Sequence, residues 1–272
     1  MFFLTFIINA IINYLCNNNN VEGSVIVKIL NDIAIFWIIV GLISAIILIF
    51  DVIKHPQQMK IMNAVWPINA LWGGPLILWA YFTLGRHRKM AMHMDMKKMN
   101  NMHDTAMHHD NMKMNMSQPN DSKYNKFWEG IVVDALHCGA GCSLSDLVGS
   151  WIFYYLLDFA IFNQKVFGEW LFDYILALII GVLFQYAAIA PMISGTIPQK
   201  LFRAFKIDFW SLTAWQVGMY GWSAISTFAL HLHFTPIQPA FWLMMAIGML
   251  CGFITAYPMN WLLVKLKIKT GM

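Results

Sequence analysis

The chain has 272 residues, 59% of them hydrophobic and only 12% charged, with a mean hydropathy of +0.56. A soluble globular protein carries about 25% charged residues, so the composition excludes an ordinary soluble domain and predicts an integral membrane protein. The formal net charge of +4 is small and sits near helix ends and in one polar segment, which speaks to membrane topology and not to nucleic acid.

In chain order, residues 2–15 are apolar but short and lack a basic leader region, so they suit a short span, an interfacial helix or an uncleaved anchor better than a secretory signal. The asparagines at 17–20 form a linker. Membrane helices need about 20 apolar residues each. Runs of that kind are expected at 26–53 and at 61–84, the second containing Pro67 and the Gly73-Gly74-Pro75 break. Residues 127–162 suggest a short helix, a Gly-rich bend near 139–141 and a span over 144–162. Further spans are expected at 170–193, 209–231 and 241–264. The expected fold is an all-α integral membrane bundle of six or seven transmembrane helices, with a disordered Met/His-rich loop. It divides into residues 1–85, the loop and linker at 86–126, and a four-span unit at 127–272.

The Met/His segment reads MAMHMDMKKMNNMHDTAMHHDNMKMNM and holds ten of the chain's 20 methionines. A core uses Met to fill gaps, but this segment offers almost nothing apolar to pack against. What Met and His share is soft to borderline metal ligation, which favours Cu(I). The expected ligands are Met90, Met92, His93, Met94, Met96, His103, His108, His109, Met112, Met114 and Met116. The bland alternative is a low-complexity loop with no role.

A sharper cluster follows. Asp134, Cys138, Cys142 and Asp146 are four residues apart, so a continuous helix would align them on one face with His137 beside them. Thiols with a histidine suit Cu(I) or Zn(II), and two nearby thiols also suit a disulfide. The alternative is small residues at a tight helix crossing with capping aspartates. Asp158, Glu169, Asp173, Gln185 and Tyr186 are polar groups in or beside spans, where such groups often mark pathways. Met245 and Met249 lie one helical turn apart with Cys251 near them, Met192, Met219 and Met259 are further thioethers, and His231 and His233 flank a span end. Core packing is the ordinary reading of such methionines. The four cysteines, Cys16 included, are too few for a disulfide framework. Neither a GxxxxGK phosphate loop nor an Asp-Lys-Thr-Gly phosphorylation sequence occurs, so ATP-driven pumping by this chain alone is not expected.

The stretch HCGAGCSLSD at 137–146, FGEW at 167–170 and QYAAIAPM at 185–192 resembles a bacterial membrane-protein family catalogued as domain of unknown function 4396. The resemblance covers roughly residues 127–265. It implies that the C-terminal four-span unit is the family module, and it implies no activity.

The lysine and arginine bias sets orientation. Lys200, Arg203 and Lys206 in one loop and Lys265, Lys267 and Lys269 in the tail place both in the cytoplasm, and with them the Met/His segment and the cysteine pair. Arg86, Arg88 and Lys89 agree, whereas Lys54 and Lys60 would fall outside. A re-entrant crossing at 127–143 would invert this inference.

The function expected is copper homeostasis in a bacterial cytoplasmic membrane, with Cu(I) bound and then transported or handed over. The alternatives are a thiol-based membrane oxidoreductase or metalloenzyme assembly factor, and a structural membrane protein with an incidental metal-binding loop. The partners expected are a transition-metal ion, membrane lipid and a metallochaperone or metalloenzyme, with an oligomer left open, no nucleic acid and no set of catalytic residues.

Overall fold

The computed structural model describes residues 25–57, 59–86, 127–157, 159–190, 196–266 and 269. The expected ligands from Met90 to Met116, together with residues 2–15, Cys16, Asp158 and Met192, lie outside them. Among the described residues the chain forms six helices: α1 (Val25–Lys54), α2 (Met62–Ala80), α3 (Phe127–Ile152), α4 (Lys165–Ile189), α5 (Ile197–Ala224) and α6 (Pro239–Lys265). Three of them run on into a single π-helical turn, Tyr81–Gly85 after α2, Phe153–Leu157 after α3 and Ile225–Ala229 after α5. Four segments are long and apolar enough to cross a membrane, namely Val27–Lys54, Phe127–Leu157, Lys165–Ile189 and Pro239–Lys265. The outer surface fits that reading: Ile33, Phe36 and Phe50 on α1 and Ile175, Ile179 and Leu183 on α4 are exposed.

α2 is not the straight span expected over 61–84. Gly74 has φ +48° and ψ −125°, outside helical geometry, and Pro75 follows it without an N–H to donate. The chain reverses there. The rings of Trp66 and Tyr81 meet edge to face with centroids 5.4 Å apart, whereas 15 residues of straight helix would separate them by about 22 Å. A Cβ on Gly85 would touch the Trp66 ring at 3.1 Å. The tip of this hairpin rests against the middle of α1, where the Trp37 indole donates to the Trp72 carbonyl at 2.9 Å. A Cβ on Gly41 would overlap the Leu71 carbonyl oxygen. Both ends of the hairpin therefore lie beside the C-terminal end of α1, and the Tyr81 hydroxyl donates to Asp51 at 2.7 Å.

α3 is also different from the expectation. No bend interrupts it at 139–141; the helix runs unbroken from Phe127 to Ile152 and on through the π turn. Its glycines serve close approach. A Cβ on Gly141 would lie 2.9 Å from the Gly181 Cα of α4, and one on Gly139 would overlap the Trp215 ring of α5. The result is a central helix, with 17 of its 26 residues buried, surrounded by α2, α4, α5 and α6. The hairpin grips it through Asn69, whose amide donates to the Leu136 carbonyl at 2.9 Å.

Short connections make α3 to α6 alternate in direction. Between α3 and α4 the chain turns at Phe162 and Asn163, with φ +50° and +61°, closed by reciprocal hydrogen bonds between Ile161 and Gln164. One end of the bundle thus gathers the starts of α3 and α5, the ends of α4 and α6, and both ends of the hairpin. The other gathers the end of α3, the start of α4, the end of α5 and the start of α6.

Candidate functional site: a buried polar stripe and an acidic cavity

Because α3 is continuous, Asp134, Cys138, Cys142 and Asp146 occur at successive turns along it, and all four are buried to 1% exposure or less. Their surroundings differ. The Cys138 thiol donates to Asp208 Oδ1 of α5 at 2.8 Å. Lys269, beyond the end of α6, turns back into the bundle and is only 2% exposed. Its ammonium donates to Cys138 Sγ at 3.4 Å and to Asn260 Oδ1 at 2.9 Å. Asn260 in turn donates to Ser211 Oγ at 2.6 Å. Burial disfavours the Lys269 ammonium, and the Asp134 and Asp208 carboxyl groups act on it in the opposite direction. A buried charge needs such partners, since stranding it is strongly unfavourable.

His137 does not join this group. Its ring packs toward Phe184 of α4, with centroids 6.4 Å apart. Neither ring nitrogen has a hydrogen-bond partner among the described residues. Cys142 lies one turn further along, packed among Ala177, Leu212, Trp215 and Met249. Cys138 and Cys142 are both free thiols.

Asp146 reaches the other end of the stripe, where a cavity of about 730 Å³ opens between α3, α4, α5 and α6. Glu169 and Asp173 of α4, four residues apart on one face, join Asp146 in lining it. The three carboxyl groups act on one another electrostatically. Neither oxygen of Asp146 has a hydrogen-bond partner among the described residues, nor does Asp173 Oδ1. The walls are aromatic: Trp170 and Tyr220 stack at 5.2 Å and 11°, and the Tyr220 hydroxyl donates to the Trp170 carbonyl at 2.8 Å.

The structure thus brings together some of the expected residues and separates others. Asp134 and Cys138 share the Lys269 environment, His137 faces a different helix, and Cys142 is enclosed by apolar side chains. Met245 lines the cavity, while Met249 is buried in the core, where Ser143 Oγ lies 3.6 Å from its sulfur. His231 is exposed with φ +52° just beyond the π turn of α5, and it is His233 that lines the cavity. Among the described residues no group of three or more His, Cys, Asp or Glu side chains is disposed to hold a metal ion. Asp134, His137, Cys138 and Cys142 therefore do not form a closed metal cage. Sequence reasoning missed Asp208, Asn260 and Ser211 altogether and gave Lys269 only a topological role. Asn260 inside an otherwise apolar helix is the available signal, whereas Asp208 follows Lys200, Arg203 and Lys206 and does not stand out from them.

A profile described as Domain of unknown function (DUF4396) matches residues 127–269, which includes the whole stripe, the cavity and Lys269. No curated protein and no solved structure matches the chain.

Proposed function

The chain belongs to the DUF4396 family, whose description assigns no activity, and we propose that it is a membrane protein that takes a soft cation, Cu(I) first, from the Met/His-bearing end of the bundle and passes it along α3. The reading places it in a bacterial cytoplasmic membrane, with α1, α3, α4, α5 and α6 crossing and α2 entering and leaving on one side. One observation carries it: ionisable side chains, carboxyl groups at the two ends and thiols between them, are buried at four successive turns of the central helix. Ionisable groups inside a membrane bundle are costly and mark pathways. The stripe runs from the end where the Met/His segment joins, between Arg86 and Phe127, to the acidic cavity. Broken helices of the α2 kind are tolerated at membrane depth only when buried in protein, and they recur where solutes cross.

A series of open sites suits transfer better than a cage would, because each must bind well enough to load and weakly enough to release. The Met/His segment collects the ion by thioether and imidazole ligation, and the two thiols relay it. Lys269 stands against this passage, since its ammonium occupies the position beside Cys138 that an incoming cation needs. Loading must displace it.

The test is Ag(I) or Cu(I) entry into vesicles reconstituted with the purified chain. Cys138→Ser with Cys142→Ser should reduce the initial rate by about tenfold or more, as loss of both soft ligands requires. Deleting residues 90–116 should reduce entry only at low ion concentration. Equal rates in the double serine variant and the parent would eliminate the relay.

A further inference from the structure

We propose that the acidic cavity is a binding site for an organic ammonium ion, a ligand separate from the cation relayed along α3. Size is the first argument. The cavity measures about 730 Å³, within the ~300–1,000 Å³ of small-molecule sites and far larger than a bare ion needs. The absence of any metal-holding trio among the described residues points the same way.

Chemistry is the second argument. Asp146 is fully buried, lines the cavity and has no hydrogen-bond partner among the described residues for either carboxylate oxygen. A polar group in that state calls for a donor from a ligand. Asp173 contributes a second unpartnered oxygen, and half-buried Glu169 stands one turn away on α4. Three carboxyl groups in one space disfavour any anion. The remaining walls include Trp170, Tyr220, Trp222 and Phe241. Aromatic faces beside carboxylates are what an ammonium group with an apolar body selects, through cation–π attraction and charge-assisted hydrogen bonds. The basic groups on the lining are Lys165 and His233, both exposed.

The experiment is calorimetric titration of the full chain in detergent with phenethylammonium, tetraethylammonium and spermidine. Phenethyl alcohol serves as the neutral control, and Ag(I) and Ca²⁺ as metal arms. At least one ammonium ion should bind saturably, one per chain, while phenethyl alcohol gives no heat. Glu169→Gln and, separately, Asp146→Asn should each weaken that binding by about tenfold, as loss of a carboxyl hydrogen-bond partner does. Should Asp146→Asn fail to fold, the half-buried Glu169→Gln still decides. Deletion of residues 90–116 should leave ammonium binding unchanged, which separates the ammonium ligand from the cation that the Met/His segment collects. Binding of none of the three ammonium ions, equal binding of phenethyl alcohol, or unaltered affinity in Glu169→Gln overturns the proposal.

Discussion

Gly139 and Gly221 are both glycines in long helices, and the structure assigns them opposite consequences. The Trp215 ring occupies the space a Gly139 side chain would need, whereas nothing lies within 4 Å of a Cβ on Gly221. Gly139→Ala should therefore destabilise the protein by ~1–3 kcal/mol through overpacking. Gly221→Ala should stabilise it by ~0.5–1 kcal/mol, the ordinary gain of alanine over glycine within a helix. Thermal unfolding in detergent reads both, and a loss at Gly221 equal to that at Gly139 would contradict the packing described. The four-residue spacing of Asp134, Cys138, Cys142 and Asp146 was legible in the sequence, because a helix repeats its face nearly every four residues. The partners were not legible. Asp208 lies 70 residues from Cys138 and Lys269 lies 131 residues away, and no local rule connects positions so far apart.

At the scale of elements, the hairpin of α2 reaches about half-way along α1. Each arm of roughly 11 residues spans about 16 Å, half of a ~30 Å hydrocarbon core. The sequence showed the break at Gly73-Gly74-Pro75, but kink and reversal share that signature; the distinction came from φ at Gly74 and from Trp66 meeting Tyr81. Similarly, the glycines near 140 suggested a bend, while their actual use is to admit α4 and α5 against a straight α3. The hairpin has a direct topological test. Cysteines introduced as Lys60→Cys and Arg86→Cys should both react with a membrane-impermeant maleimide from the same face of sealed vesicles. Labelling from opposite faces would restore a simple span. Residues 60 and 86 are both exposed, so access does not limit either reaction.

Taken as a whole molecule, the bundle has one basic end. Lys54, Lys60, Arg86, Lys200, Arg203, Lys206, Lys265 and Lys269 belong to the end where the Met/His segment joins, and only Lys28 and Lys165 among the described residues belong to the other. Counting α2 as a crossing puts Lys54 and Lys60 at the opposite end from Arg86; the hairpin returns them to the basic end. By the bias of lysine and arginine towards the cytoplasm, Lys206→Cys should be labelled by an impermeant reagent only after the cells are opened, and Thr235→Cys in intact spheroplasts. The opposite pattern would invert the molecule in the membrane and reverse the direction in which the stripe is loaded. The π turns at Phe153–Leu157 and Ile225–Ala229 both supply cavity walls, through Phe153, Tyr154 and Tyr155 and through Ser226 and Thr227. A π turn holds one residue more than the α-helix it interrupts, and each helical residue turns the chain by about 100°. In an alignment of relatives, a one-residue gap at either place would therefore mark a rotated cavity wall and a changed ligand, not a neutral trimming of a helix end.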